Sequence, residues 1–540
     1  MRVAMRAESG ATERIVIAGG GPVGMIAALL LARWDVPTVL LEAGTSHTGL
    51  GSKAICFQRD VLDILDRVGC ARQAVAEGVT WWHGLTFYRG QQLFETTFPE
   101  SGRSAFPPFI NLSQTSLERY LWERVVDSDL IDVRFGHRVV GLEPHDAEVT
   151  VDADTADGRR RIAGAYLVGC DGAGSTVRKL LGLPFEGHSF DEQFLIADIR
   201  ADLPFPVERR FYFDPPWNPG RQVLVHPQPH SLWRIDWQVP ADFDLDRARA
   251  SGELDARIAM ITGDAPYEID WVSVYRFHQR IVPSYRVGRV LLAGDAAHLM
   301  SPFGARGLNS GAQDAENAAW KLAFAMHGWA GDGLLASYDI ERRAAGLENL
   351  RVTDETMRFL APQTDPEWER RRELLRRAVD DPDARAAVNS GRLAEPYWYV
   401  DSPLTTPDRD VGDFPRAAAV DRPIVPGVLC PDGPCRVDGR PAATRLRQLF
   451  ADGMVVLAAT TDDRAVRSAA SSIAAPTTVH RLADLTVDCD EDLTAVLEAP
   501  HGSATIVRPD GHIAARVDAS DMDALQRALR RACGHHADGL

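Results

Sequence analysis

Apolar positions along this chain change rhythm several times, and each change predicts a different kind of element. Residues 14–18 read Arg-Ile-Val-Ile-Ala, a β-branched run of the kind that forms a strand buried in a parallel sheet. Glycine then takes over in Gly19-Gly20-Gly21-Pro22-Val23-Gly24, and residues 25–32 continue as an apolar stretch rich in Ala and Leu, which predicts a helix. A second run, residues 37–41, ends at Glu42. Together they make one βαβ unit. Two further apolar runs, 165–170 and 289–293, lead into Asp171-Gly172-Ala173-Gly174-Ser175-Thr176-Val177-Arg178 and Gly294-Asp295-Ala296-Ala297-His298. Each puts an Asp at a strand's C-terminal end, where open α/β sheets bind ligands.

Between residues 186 and 280 the rhythm becomes an alternation that carries aromatic residues, in runs 194–199, 210–213, 222–226 and 232–237 separated by breaks such as 215–220. This pattern predicts a mixed or antiparallel sheet inserted into the first lobe, with Trp81, Trp82, His83 and Phe87 as upstream contributors. Long helical stretches follow to about residue 390, and the charge-dense segment 367–377 reads as a solvated helix face. Residues 401–422 are rich in Pro, Asp and Arg and read as a linker. Apolar runs return at 454–459 and 503–507. The expected organisation is a tail (1–13), an α/β nucleotide lobe in two parts (14–185 and 281–400), the inserted sheet (186–280), the linker (401–422) and a C-terminal lobe (423–540).

The first glycine segment makes a specific physical demand. Gly19 allows a tight turn, Gly21 lets the backbone approach a pyrophosphate, and Gly24 lets helix and strand pack closely. The helix N-terminus then faces the phosphates. Glu42, 18 residues beyond Gly24, would accept hydrogen bonds from a ribose hydroxyl and disfavour a 2′-phosphate. A bare Gly-x-Gly-x-x-Gly is a weak signal; strand before, helix after and acid at the strand end make it a dinucleotide site. The nucleotide is an adenosine diphosphate moiety, as in FAD or NAD.

Together the three glycine segments resemble the flavoprotein aromatic hydroxylases of the para-hydroxybenzoate hydroxylase type, over roughly residues 14–345. The resemblance extends to Gly51-Ser52-Lys53-Ala54-Ile55-Cys56-Phe57-Gln58-Arg59, to Gln114, and to Pro302-Phe303-Gly304-Ala305-Arg306-Gly307-Leu308-Asn309-Ser310-Gly311. It implies FAD as cofactor, NADH or NADPH as a transient co-substrate, and O₂ activated as a flavin hydroperoxide that hydroxylates a phenolic ring. It implies that Asp295 holds ribityl or ribose hydroxyls and that Asp171 with Gly172 touches FAD and incoming NAD(P)H. Backbone N–H groups of Gly307, Leu308 and Asn309 would face the pyrimidine end of the flavin, Gln114 would contact the flavin, and Pro302 would sit above the ring. Lys53 stands where the family most often has arginine and would meet the pyrophosphate or NAD(P)H as a point charge rather than a fork. Tyr212 and His298 are candidates for contact with the phenol proton, His298 also for the flavin-loop scaffold. The C-terminal lobe resembles the thioredoxin-like tail of phenol and polyketide hydroxylases, structural or oligomer-forming, with a homodimer as one assembly it would allow and the oligomeric state left open. The fold class expected is thus α/β: a Rossmann-like FAD-binding domain, an inserted mixed β-sheet substrate domain and a thioredoxin-like C-terminal domain.

Composition narrows the partners. The 540 residues carry a formal charge of −17, which repels phosphate backbones and anionic membranes. Seven scattered cysteines without Cys-x-x-Cys spacing fit a reducing cytoplasm and no structural metal. Neither a signal-peptide stretch in residues 1–13 nor a spanning apolar window is present. No second Gly-x-Gly-x-x-Gly unit offers a permanent nicotinamide domain. A flavin-dependent halogenase would share the first lobe, but its Trp-x-Trp-x-x-Pro signature is absent: Trp233 and Trp237 have the wrong spacing. A redox-silent flavin-binding module is the alternative outside enzymes, and the intact Asp171, Asp295 and glycine loops count against it.

Overall fold

The computed structural model describes residues 13–47, 54–98, 104–391, 393, 395–408, 414–415, 422–437, 444–485 and 492–535. Only Glu13 of the expected tail, and residues 401–408, 414–415 and 422 of the expected linker, lie within them.

The β-branched run forms the strand Ile15–Ala18, which lies between Tyr166–Gly169 and Thr38–Leu41 in a six-stranded sheet. Val290–Leu292 and Ile131–Arg134 extend it on either side, all parallel, and Arg286–Val287 adds an antiparallel edge. The helix Pro22–Arg33 is buried from Gly24 through Leu31. A helix that is apolar all round must be covered all round, and the long helix Gly307–Met326 packs along it. Residues that sequence spacing sets nearly 300 positions apart therefore share one core with the first strand.

The alternating middle segment forms most of an eight-stranded sheet. Its order is His298–Leu299, Tyr267–Ile281, Glu186–Ala201, Leu232–Val239, Gln222–Pro227, Arg209–Phe213, His83–Tyr88 and Gln91–Thr97. Only Arg209–Phe213 with His83–Tyr88 is a parallel pair, so the sheet is mixed, and the upstream segment supplies two of its strands. One face packs on Leu254, Ile258 and Ile261 of the helix Glu253–Thr262. The other turns toward the first lobe.

The C-terminal lobe is a βαβ unit, a hairpin and a closing helix. Met454–Ala458 pairs parallel with Thr477–Arg481 and antiparallel with Ser503–Val507, which pairs with Ile513–Asp518. That strand order, with the helix Met522–Ala532 closing the lobe, is thioredoxin-like. Cys430 and Cys435 are not poised for exchange: both are buried, and burial pushes them up to about 12 and 11. The lobe shares a core with the first one, since Trp320, Phe324 and Leu334 pack among Met454, Val456 and Leu525. No helix among the described residues is long and apolar enough to cross a membrane.

Candidate active site

The three glycines of the loop have different surroundings. Gly19 has φ +107°, and a Cβ there would lie 2.4 Å from the carbonyl oxygen of Cys170. A Cβ on Gly24 would lie 2.0 Å from the carbonyl oxygen of Gly19, whereas one on Gly21 would meet nothing within 4 Å. Gly21 opens onto the large cavity described below. It is also the N-cap of the first helix, which no side chain caps, leaving a helix terminus free to meet an anion. Glu42 accepts from the backbone N–H groups of Gly20 at 2.8 Å and Gly44 at 2.6 Å. Each of its oxygens keeps a lone pair for a hydroxyl.

The other two glycine segments converge on the same cavity. Gly172 has φ +77° with open space beside it and lines the wall, as does Asp295, exposed on the turn Gly294–Ala296. Asp171 behaves differently. Its carboxylate accepts from Ser175 Oγ at 2.5 Å and from the backbone N–H of Thr176 and Val177 at 2.6 and 3.0 Å. It staples its own loop onto the start of the helix Thr176–Leu180, and Gly172, not Asp171, lines the cavity. Gln114 lines the cavity while accepting from Ala54 N–H at 3.1 Å and donating to Glu118 at 2.7 Å. Pro302, Gly307, Leu308 and Asn309 complete this end. The Asn309 side chain accepts from Gln58 N–H at 3.1 Å and donates to the Cys56 carbonyl at 2.9 Å, tying the helix start to the strand Cys56–Gln58. Ala305 is held at φ +56°, a left-handed conformation that costs a non-glycine residue about 1–2 kcal/mol. Lys53 lies outside the described residues.

The cavity, about 1380 Å³, runs from Gly21 and Asp295 to the face of the eight-stranded sheet. That exceeds the roughly 300–1,000 Å³ of a site for one drug-sized ligand, so it has room for a second group beside a dinucleotide. FAD fits the donor set: an uncapped helix start and an open glycine for pyrophosphate, carboxylates for hydroxyls, and a second helix start, Gly307, that no side chain caps.

Period-two alternation decides which sheet residues reach the cavity. Arg209 and Phe211 point one way, and Arg210 and Tyr212 the other. Tyr212 is stacked on Phe87 at 4.9 Å, beside Trp217, in the core on the far face. It is not brought to the cavity. His298 is not either: it is buried behind the turn Gly294–Ala296, with Nε2 2.7 Å from Asp314 Oδ2. Asp314 also accepts from Gly294 N–H at 3.0 Å and Arg342 Nε at 2.7 Å. Burial pushes its carboxyl up, but Arg342 and His298 more than offset this and hold it below the usual carboxylate range.

The cavity face carries a polar cluster that sequence reasoning missed: Arg209, His226, Arg234 and Asp236, walled by Cys56, Trp81, Phe194, Tyr275 and Phe277. Arg234 forks onto Asp198 at 2.8 and 2.7 Å, and Gln228 donates to the same carboxylate at 3.1 Å. Arg209 donates to the Ser390 carbonyl at 2.7 Å. Among the described residues Asp236 Oδ1, His226 Nδ1 and Trp81 Nε1 are buried without a partner. Burial pushes Asp236 up to about 7 and, with the charges of Arg209 and Arg234, drives His226 well below its usual value. Burial lowers Arg209 to about 10 and raises Cys56 to about 12. The available signal was Arg234 and Asp236 alternating with Trp233, Ile235 and Trp237 on one strand, since a buried polar group is the informative departure.

Behind the same turn, a buried ionic network joins the first lobe to the C-terminal one. Glu341 accepts from Lys321 at 2.6 Å, Asn317 at 2.8 Å, Ser402 at 2.5 Å, and both Nη atoms of Arg508 at 2.6 and 2.9 Å. Its neighbour Arg342 reaches Asp314, and thereby Gly294, and donates to Tyr399 Oη at 2.7 Å.

Comparison with known proteins gives the same reading. Residues 12–353 match the FAD binding domain family, and residues 424–535 match the C-terminal domain of aromatic-ring hydroxylases. A para-nitrophenol 4-monooxygenase from Pseudomonas sp. is 31% identical over 351 residues, 62% of this chain and 84% of that protein. A 6-methylpretetramide 4-monooxygenase from Streptomyces rimosus is 29% identical over 542 residues, 96% of this chain and 93% of that protein. The solved structure of OxyS anhydrotetracycline hydroxylase from Streptomyces rimosus superposes with a TM-score of 0.71 at 27% identity, over 97% of this chain and 99% of that one. The flavin-dependent monooxygenase PieE, solved in complex with FAD and substrate, shares the fold with a TM-score of 0.80 at 24% identity, over 97% and 99%. With three glycine segments on one cavity and a family match over more than half its length, the chain belongs to the FAD-binding aromatic-ring hydroxylases, flavoprotein monooxygenases that act on an aromatic substrate.

Proposed function

We propose that this chain uses NADH or NADPH and O₂ to add one oxygen atom to a phenolic ring. The observation that carries the reading is a single cavity running from the nucleotide-binding glycine loop to a floor of aromatic and buried polar side chains. Bound FAD supplies the redox chemistry, taking a hydride from the nicotinamide and activating O₂. The remaining work falls to the chain. Gly19, Gly21 and Gly24 shape the loop under the pyrophosphate, and Glu42 and Asp295 accept from ribose and ribityl hydroxyls. Gly172 keeps the wall open for the flavin and the docking nicotinamide, with Lys53 as a further contact, while Asp171 acts by fixing that loop. Gln114 and the backbone at Gly307, Leu308 and Asn309 meet the flavin ring, and Pro302 lies beside it. Phe194, Phe277 and Trp81 exclude water from the reacting carbon, which limits unproductive oxidation. His298 serves through Asp314, by holding the turn that carries Asp295.

A direct test mixes purified protein, FAD, NADH or NADPH, and a panel of single-ring and fused-ring phenols, following reduced-nucleotide consumption. A phenol that accelerates consumption supports the reading. If none does, the substrate class is wrong.

A further inference from the structure

The polar floor of the cavity contains an acid, Asp236, one of whose carboxylate oxygens has no partner among the described residues. Asp236 lies on the strand Leu232–Val239, opposite Ile196 on one side and Leu224 on the other, so both lateral neighbours in the sheet are apolar. Its Oδ1 is buried without a partner among the described residues, and its side chain lines the cavity. The next inward-facing residue on the same strand, Arg234, is already forked onto Asp198. An unpaired buried carboxylate oxygen costs free energy comparable to a lost hydrogen bond or more. A donor from a bound ligand would remove that cost.

The surroundings say what kind of donor. The charged and titratable groups that face Asp236 are Arg234 on its own strand, Asp198 on Glu186–Ala201, Arg209 on Arg209–Phe213 and His226 on Gln222–Pro227; Tyr275 and the Cys56 thiol stand further along the wall. Arg209 is close enough for its charge to act on the carboxyl. The site therefore offers an acceptor beside a guanidinium donor, within an aromatic wall, which complements an aryl hydroxyl that becomes an oxyanion. A cationic ligand would be repelled by Arg209 and Arg234, and a wholly apolar ring would leave Asp236 unsatisfied.

We propose that Asp236 is the proton acceptor for the substrate's ring hydroxyl, with Arg209 beside it to hold the resulting oxyanion. This rests on the phenol reading above. In the step, the O–H bond breaks, the proton passes to the Asp236 carboxylate, and the bonding pair stays on the substrate oxygen. From there it raises electron density at the ring carbons ortho and para to it. Burial holds the carboxyl at about 7, near working pH, where a general base combines a sufficient ionised fraction with useful basicity. His226, kept neutral by burial, leaves Asp236 as the acceptor whose ionisation falls in that range.

The test compares wild type with Asp236→Asn and Asp236→Glu, each loaded with FAD, on the phenol that wild type turns over best. The readouts are kcat/KM from pH 5 to 9 and the ultraviolet difference spectrum of the bound phenol at pH 8. Wild type is expected to lose activity about tenfold per pH unit below about 7 and to bind the phenol with a phenolate spectrum. Asp236→Asn is expected to keep the wild-type flavin spectrum and KM for the reduced nucleotide, to fall about 10²–10⁴-fold in kcat/KM, to lose the acid limb, and to bind the phenol un-ionised. Asp236→Glu should restore part of the rate and a shifted limb. If Asp236→Asn retains the acid limb, or stays within threefold of wild type, Asp236 is not the acceptor although the phenol reading stands. If wild type turns over no phenol, that reading fails and this proposal falls with it.

Discussion

Replacing Arg508 with methionine tests whether the C-terminal lobe is wired into the flavin-binding lobe. Arg508 is fully buried and makes two forks, onto Glu341 at 2.6 and 2.9 Å and onto Asp510 at 2.5 and 3.1 Å. Burial pushes both carboxyls up, but Arg508 and its neighbours more than offset it and hold Glu341 and Asp510 well below the usual range. Methionine keeps much of the volume and removes the charge. Glu341 retains Lys321, Asn317 and Ser402, whereas Asp510 is left with His512 and a 3.3 Å bond from Trp320. Removing one partner of a buried pair costs about 3–5 kcal/mol. The sign of the pH dependence follows. In wild type the depressed carboxyls stabilise the fold above their unfolded values, and that contribution is lost only as pH falls through the lower folded values. In the variant Asp510 loses its main counter-charge and is expected to take up a proton at higher pH, so the penalty should be greatest near pH 7 and shrink toward pH 4. Urea unfolding followed by tryptophan fluorescence, with Trp320 inside the network, measures this at both pH values. A variant within about 0.5 kcal/mol of wild type at pH 7 would refute the reasoning.

Two glycines should separate folding from cofactor binding. Gly21→Ala is expected to leave the apoprotein's melting temperature unchanged and weaken FAD binding, while Gly24→Ala, whose Cβ would lie 2.0 Å from a carbonyl oxygen, should destabilise the apoprotein by about 1–3 kcal/mol; equal effects on both would contradict the division. Asp295→Ala should weaken FAD by about 10- to 150-fold, from the roughly 1.5–3 kcal/mol of a charged hydrogen bond, and retention of FAD at wild-type occupancy on gel filtration would overturn that role. Tyr212→Phe is expected to leave kcat within twofold, because the ring stacks on Phe87 away from the cavity; a large loss would mean that the hydroxyl reaches the substrate.

The glycine loop was readable because its physics is local: turn, close approach and packing are demanded by residues within one βαβ unit. The same holds for the Asp-Gly and Gly-Asp turns, although sequence could not tell that Asp171 spends both oxygens on Ser175, Thr176 and Val177. Strand faces were harder. Tyr212 and Arg209 differ by an odd number of residues, so reading the wrong phase of the alternation exchanges core for cavity. Asp236 was passed over for a related reason: a single acid among Trp233, Ile235 and Trp237 acquires its meaning only when four strands bring Arg209, His226 and Asp198 onto one face with it. The Arg508 network lay furthest from view. Arg-Pro-Asp-Gly-His reads as a turn, and its partner Glu341 is 167 residues away, a pairing that no local pattern encodes.

Isotopically labelled O₂ tests most directly whether this monooxygenase acts on a phenol. Turnover of a phenol with FAD and NADH or NADPH under labelled O₂ should give a product that carries one labelled oxygen atom on the ring, formed in proportion to the reduced nucleotide consumed. Unlabelled product, or nucleotide oxidation that yields only hydrogen peroxide with every phenol tried, would contradict it.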